Sequence, residues 1–395
     1  MCGSVPGPVT PPLYDRLVVD LLHTSDWHVG RTMRGRSRIE EHRQVLGEIA
    51  TIAADRGVDL IVVAGDLFDV AAPSPEAEQV VFRALLDLAE AAPVLVVAGN
   101  HDNPRRLEAV APLLELGRVT VVGAARRPDD GGMVRLGGLG VQIALLPWQS
   151  QRGIVTAADL FDRDAADQAI SYEMRMRKLI GALTEGMSPD TVNVVVSHAM
   201  VHGAKDSGSE RHAHIFGYAI PALAFPSSLS YVALGHLHRP QQVPAPAPVW
   251  YSGSPLQLDF GEVDDIKSVN FVTAEPGLPA RVEPVPLTAG RRLVRLSGTV
   301  DDVLAEAGRV EDAWVKVELD EPARSGLADE IRSALPDVVD VTLVKPAAAE
   351  RPVQGPQRLG RSPRELFSEY LIQRGVVDAG LEAMFGDLLE EAHET

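Results

Sequence analysis

The sequence predicts an α/β fold: a mostly parallel sheet system crossed by helices, then a small α+β unit and two C-terminal helices. Two observations carry this. Five runs dense in Val, Ile and Leu ("RLVVDLL", "VDLIVVAG", "PVLVVAG", "TVNVVVS" and "SYVALG") are nearly continuous rather than alternating. That is the pattern of strands covered on both faces. Helical periodicity separates the first three, and strand–helix–strand order implies parallel pairing with right-handed crossovers.

The elements follow in chain order. Residues 1–16, "MCGSVPGPVTPPLYDR", lack a basic start with an apolar core and read as a loose tail, not a signal peptide. In "IEEHRQVLGEIATIAADRG", Val45, Leu46, Ile49, Ile52 and Ala53 recur at helical spacing, and Gly57 is the stop. In "SPEAEQVVFRALLDLAEA", Ser74 is placed to cap, Pro75 fits the first turn, and Val80, Val81, Ala84, Leu85 and Leu88 form the stripe. "MVRLGGLGVQIALLP" reads as a hairpin around glycines. "VWYSGSPLQLDFGE" and "SVNFVTAEPG" extend the β content. "RRLVRLSG", "AWVKVELD" and "VVDVTLV" are strands of a second unit, with "GLADEIRSAL" a helix between the last two. There Trp314, Lys316 and Glu318 alternate with Val315, Val317 and Leu319, so one face should be solvated. A Pro/Gly-rich linker, residues 346–362, leads to helices over residues 363–395. Such a short tethered pair cannot bury its apolar stripes alone, so it docks on the body or on a partner. The boundaries are therefore 17–280 for the main domain and 281–345 for the second unit.

Composition bounds the function. The 395 residues carry a net charge of −18, which argues against an autonomous nucleic-acid binder unless a partner supplies basic surface. No apolar run approaches a membrane span, and the one cysteine, Cys2, allows no intrachain disulfide; a reducing cytosol is the expected compartment. The local exception is "GRTMRGRSR", with Arg31, Arg34, Arg36 and Arg38: either a solvated loop or one that touches phosphate.

The five runs end in "SDWH", "GD", "GNHD", "SH" and "GHLH". In open α/β sheets, ligands bind beyond the carboxyl ends of the strands. One rim should thus receive Asp26, His28, Asp66, Asn100, His101, His198, His236 and His238. Any one of these has a plain structural explanation, as a cap, a turn or a core histidine; five buried strands all ending this way do not. The donors are oxygen and imidazole without thiolate, which suits Mn²⁺, Mg²⁺, Fe or Zn²⁺. They exceed one ordinary site, and two ions sharing a bridging carboxylate use them economically. His23 reads as a core group, His42 and His393 as surface residues, and His202, His212 and His214 as part of a polar rim segment.

In this order, D-x-H, G-D, G-N-H-D, H and G-H-x-H resemble the calcineurin-like metallophosphoesterases. More locally, "HTSDWHVGR", "GDLFD", "GNHD", "GHLH", "YSGSPLQLDFGE" and "SPRELFSEYL" resemble the SbcD family, the nuclease subunits of double-strand-break repair complexes, from about residue 17 onward. The resemblance implies a layered β-sandwich flanked by helices with an α+β capping domain. It implies two divalent metals, Mn²⁺ first, acting on DNA ends and hairpins by phosphodiester hydrolysis. One metal would take Asp26, His28 and His238, the other Asn100, His198 and His236, with Asp66 bridging. His101 would face the scissile phosphate, and Asp69 would orient it. The glycines at 65, 99 and 235 would let the backbone turn sharply. Arg31 or Arg34 would contact DNA, and Leu366, Phe367, Tyr370, Leu381, Phe385 and Leu389 would dock an SbcC-like SMC-family ATPase. A homodimer within a heterotetramer, cytoplasmic and nucleoid-associated, is implied as well. The competing readings are a nucleotide or cyclic-nucleotide phosphodiesterase, which needs neither the second unit nor the tethered helices, and a non-catalytic scaffold, which would lose ligands. A phosphoprotein phosphatase fits less well, because its GDxVDRG and GNHE are here "GDLFDV" and "GNHD".

Overall fold

Apolar strands alternating with amphipathic helices build the first sheet. The computed structural model describes residues 18–150, 165–207 and 219–344, and a few positions between 367 and 385. The chain divides into two units, Met1–Val344 and Lys345–Thr395. Strand β1 (Val19–Thr24) passes through a short ribbon, β2 (Thr32–Met33) and β3 (Arg36–Ser37), into helix α1 (Ile39–Arg56). Then come β4 (Leu60–Val63), α2 (Pro75–Ala91), β5 (Val94–Val97), α3 (Pro104–Glu115) and β6 (Val119–Val122). Strands β1, β4, β5 and β6 pair in parallel. Gly57 ends α1 in the left-handed region at φ 61°, and the Ser74 hydroxyl accepts the Ala77 N–H to start α2, with Pro75 in the first turn.

The second sheet begins with the glycine hairpin, β7 (Met133–Leu136) and β8 (Val141–Leu146), paired antiparallel. Helix α4 (Ala165–Thr184) leads to β9 (Val192–His198), β10 (Tyr231–Gly235), β11 (Gln241–Val243) and β12 (Val249–Tyr251). Its order is β11-β12-β10-β9-β8-β7. The chain then returns to the first sheet through β13 (Ser268–Ala274) and β14 (Arg281–Pro286), giving β14-β13-β1-β4-β5-β6.

The five apolar runs therefore lie in two sheets, three in the first and two in the second. The sheets face each other through Leu21, Val62 and Val97 on one side and Ile143, Val194 and Ala233 on the other. Their outer faces are covered too. Leu22, Ile61 and Val96 pack with Val45, Ile49 and Leu85 of the helices, and Val195 and Leu234 with Met176 and Ile180. Each fully buried aliphatic contributes roughly 1.5–3 kcal/mol, which is why the strands read as unbroken apolar runs.

One boundary and one face differ from the sequence reading. Strand β14 pairs register by register with β13, so residues 281–286 belong to the sandwich and not to the capping domain. That domain is a parallel three-stranded sheet of β15 (Leu293–Gly298), β16 (Trp314–Leu319) and β17 (Val338–Leu343), with α5 (Val300–Ala305) and α6 (Leu327–Ala334) over a core of Val303, Val315, Val317 and Ile331. Trp314 is not on a solvated face. It is 6% exposed, packed with Met33, Phe260 and Leu293 where the capping domain meets the sandwich. There the Trp314 Nε1–H donates to Glu41 at 2.8 Å. Glu41 also accepts from the buried Arg38 guanidinium at 2.8 and 3.1 Å and from the Arg291 N–H at 3.0 Å.

His42 is likewise not a surface residue. It is fully buried on the inner side of α1, and its Nδ1–H donates to the Arg38 carbonyl at 2.8 Å. His23 is buried as expected, 2.9 Å from the Tyr231 hydroxyl. His202 is exposed, while His212, His214 and His393 lie outside the described residues. In the second unit the Phe367 and Phe385 rings stack at 4.0 Å, Leu371 is buried, and Tyr370 is half-exposed. Leu366 and Leu389 lie outside the described residues. Among the described residues, no helix is long and apolar enough to cross a membrane.

Candidate metal centre

The polar groups leave their strands through strained turns. Asp26 (φ 52°), His28 (46°), Asp66 (53°) and His236 (109°) all have left-handed backbone. Such a conformation costs a non-glycine residue roughly 1–3 kcal/mol and persists only where the surroundings enforce it. Here the enforcement is visible. The Asp26 N–H donates to the Gly65 carbonyl at 2.9 Å and the His28 N–H to the Asp66 carbonyl at 3.0 Å. The buried Asp102 carboxylate takes the N–H groups of Gly99 (2.8 Å), Phe68 (3.1 Å) and Leu67 (3.3 Å), pinning the β5 turn to the β4 turn. Burial and the charge of Asp66 raise the Asp102 carboxyl to about 7. Of the three glycines expected at sharp turns, only Gly65 has positive φ (89°). Gly99 serves close approach instead: a Cβ there would lie 2.1 Å from Asp66 Oδ1.

The turns from both sheets converge. Ligand atoms of Asp26, His28 and His238 lie within 4.8 Å of one another, as do those of Asp26, Asp66 and His198. Asp66 is central: Oδ2 is 3.5 Å from His28 Nε2 and 3.4 Å from His198 Nε2, and Oδ1 accepts the His101 N–H at 2.8 Å. Asn100 Oδ1 lies 2.9 Å from both His198 Nε2 and His236 Nδ1. All seven residues expected to hold metal are thus brought together.

The hydrogen bonds fix which nitrogens face inward. His238 Nδ1 hydrogen-bonds the Glu262 carboxylate at 3.1 Å and so carries the proton, while His28 Nδ1 lies 3.4 Å from the Asp69 carboxylate without a hydrogen bond. The Nε2 lone pair of His238 then faces His28 Nε2 at 3.2 Å, beside Asp66. His198 donates Nδ1–H to the Ala64 carbonyl at 2.8 Å, which turns its Nε2 toward Asp66 and Asn100. Buried electron pairs facing one another call for a cation. Burial alone would lower the His198 imidazole, but the charge and hydrogen bond of Asp66 raise it to about 9. Burial raises Asp26 to about 6, while His198 and His28 hold Asp66 well below its usual range despite burial. This donor set of imidazole, carboxylate and amide oxygen fits divalent cations.

Asp69 differs from expectation. Its carboxylate turns to His28 and to Arg31, 3.2 Å away, and its main-chain oxygen is what accepts from His101 Nδ1–H, at 2.7 Å. His101 is thus oriented by a carbonyl. Arg34 pairs with Asp340 of the capping domain at 3.1 Å, and Arg36 donates to the Pro336 and Val338 carbonyls there. Three residues of the site escaped the sequence reading: Asp102, Glu262 and Trp148, whose ring stacks on His236 at 5.0 Å and 25°. Trp148 closes β8 as "LLPW", a sixth strand end, so the rule that found the other five also reaches it.

Residues 19–240 match the calcineurin-like phosphoesterase family, and residues 289–374 match the type 5 capsule protein repressor C-terminal domain. The SbcD component of the SbcCD nuclease of Bacillus subtilis is 36% identical over 308 residues, covering 76% of this chain and 78% of the relative. The chain belongs to the SbcD family of calcineurin-like phosphoesterases. Two further SbcD relatives agree: that of Rhodobacter capsulatus is 32% identical over 88% of this chain and 93% of its own length, and that of Staphylococcus epidermidis 27% over 74% and 76%. The second match begins after β14, in accord with a capping domain that starts at β15. Neither the nucleotide-phosphodiesterase nor the scaffold reading is favoured by these matches.

Proposed function

We propose that this SbcD-family chain is a metal-dependent nuclease. It hydrolyses DNA phosphodiesters at ends and hairpins with two divalent ions, Mn²⁺ first, as the partner of an SbcC-like SMC-family ATPase in the cytoplasm and at the nucleoid. The observation that carries the reading is the pair of Nε2 atoms 3.2 Å apart beside Asp66, at the centre of ligand-type residues from strands of both sheets. One ion would be held by Asp26, His28 and His238, the other by Asn100, His198 and His236, with Asp66 shared. Such ions activate a water and neutralise the charge of an in-line phosphoryl displacement. His101, fixed at Nδ1 by the Asp69 carbonyl, keeps Nε2 for the phosphate, where it stabilises the transition state or protonates the leaving oxygen.

Arg31 and Arg34 line a cleft with Asp69 and Asp259 and supply phosphate contacts. Both are partly exposed and paired with carboxylates, and such pairs contribute only about 0–1 kcal/mol, so a DNA phosphate can replace them. Charge-removing variants should flatten the salt dependence of DNA affinity and leave a small phosphodiester unaffected; an unchanged slope rejects the contact. Residues 363–395 dock the ATPase through Phe367, Tyr370, Leu381 and Phe385 with Leu366 and Leu389, and a chain truncated at 362 should no longer co-purify with it. Leu113 and Leu116, 71% and 85% exposed, support a homodimer; Leu113→Glu with Leu116→Glu should yield monomers in light scattering.

The deciding assay is cleavage of linear duplex DNA and of a small aryl phosphodiester, with Mn²⁺ or Mg²⁺, with and without the ATPase. DNA cleavage that requires metal is expected. Hydrolysis of the small ester alone, or no hydrolysis under any of these conditions, rejects the reading.

A further inference from the structure

The segment "YSGSPLQLDFGE" wraps the site, and only its Glu262 has entered the chemistry so far. The Tyr251 hydroxyl donates to the Ala199 carbonyl at 2.7 Å, Ser252 Oγ meets Ser25 Oγ at 2.8 Å, and the Ser254 N–H donates to the His238 carbonyl at 3.1 Å. Its last residue meets a histidine of the site directly. Glu262 is 0% exposed. Oε1 lies 3.1 Å from His238 Nδ1, and Oε2 accepts from the Leu258 N–H at 3.0 Å and from Lys267 Nζ at 2.7 Å. Lys267, itself buried, also donates to the His238 carbonyl at 2.9 Å and to Ser254 Oγ at 3.0 Å. One ammonium therefore ties down both the backbone of His238 and the carboxylate that holds its ring.

We propose that Glu262, clamped by Lys267, is the positioning residue that fixes the tautomer and orientation of His238 for metal binding. The proposal rests on the two-metal reading. A carboxylate on Nδ1 keeps the proton there, leaves the lone pair on Nε2, and makes the imidazole a stronger donor. The arrangement is not repeated at the other ion's histidines: His198 Nδ1 leans on the neutral carbonyl of Ala64, and His236 Nδ1 lies 2.9 Å from the amide oxygen of Asn100. The two sites should therefore differ in their dependence on Glu262. Loss of such a partner typically weakens metal affinity about 10–100-fold.

The test uses the full chain and Mn²⁺ alone. Calorimetric titration and electron paramagnetic resonance should give two bound ions and a spin-coupled pair in the unsubstituted protein; fewer than two defeats the two-metal reading itself. Glu262→Gln should weaken one ion about 10–100-fold and leave the other unchanged, so that limiting Mn²⁺ gives an uncoupled signal. Because Glu262→Gln strands a buried ammonium, Glu262→Gln with Lys267→Met serves as a second variant that removes both charges. The selective loss should persist in it, and adding Glu262→Gln to His238→Ala should cost nothing further. Two unchanged affinities in the folded double variant, or equal weakening of both ions, overturns the proposal.

Discussion

The seam between capping domain and sandwich converges on one carboxylate, and Glu41→Ala probes it. Burial alone would raise the Glu41 carboxyl, but Arg38, Trp314 and the Arg291 N–H lower it on balance, so it is ionised in the fold. Its removal leaves the Arg38 guanidinium, 1% exposed, with the Gln257 carbonyl as remaining acceptor, and takes the acceptor from Trp314 Nε1. Breaking a buried ion pair from one side costs about 3–5 kcal/mol. Unfolding entropy of roughly 2.1 cal/mol/K per residue sums to about 0.7 kcal/mol/K over the unit Met1–Val344. The melting temperature should therefore fall by roughly 4–7 °C in calorimetry. Proteolysis of the joint between β14 and β15 should quicken in parallel. Arg38→Met combined with Glu41→Leu removes both charges and should recover much of the loss. A shift below about 1 °C for Glu41→Ala would refute the view that this carboxylate holds the seam.

The other predictions concern the site and the buried histidines. Asp66→Ala should abolish hydrolysis and lower bound metal, measured by elemental analysis, because Asp66 faces His28, His198 and the His101 N–H at once. His101→Ala should keep both ions but lose roughly 10²–10⁴-fold in rate, and anomalous scattering that shows an ion missing would make it a ligand instead. Burial lowers His42 to about 4 from its usual 6.5, so below 6.5 the unfolded chain takes up a proton that the folded chain refuses until about pH 4. Stability should thus fall as pH drops through that window, by about 2 kcal/mol between pH 7 and 5 from this group. His42→Gln should remove that loss of about 2 kcal/mol between pH 7 and 5, and an equal loss in the variant would contradict it.

The legible part of the fold was the part whose pattern is local. Continuous aliphatic runs and the Ser74, Pro75 and Gly57 signals placed β1, β4, β5, α1 and α2, because capping chemistry and two-sided burial leave a short-range trace. Helix α3 left little, since only Leu107 and Leu114 of it are buried. The division of strands between two sheets was not legible, because it depends on pairings between strands remote in sequence, such as β1 with β13, where His23 faces Asn270. The burial of Trp314 and His42 was missed for the same reason: each depends on an element remote in sequence. The proposed metal ligands were legible because each follows an apolar run directly. Glu262 and Asp102 act through other residues, one on a ring nitrogen and one on backbone N–H groups, and neither contact has a fixed spacing.

Mn²⁺-soaked crystals measured at the manganese edge put the two-metal site to its sharpest test. Two anomalous peaks about 3.5–4 Å apart are expected. One should touch Asp26, His28 and His238, the other Asn100, His198 and His236, and both Asp66. A single peak, or two peaks of which one makes no contact with Asp66, would contradict a shared two-metal centre.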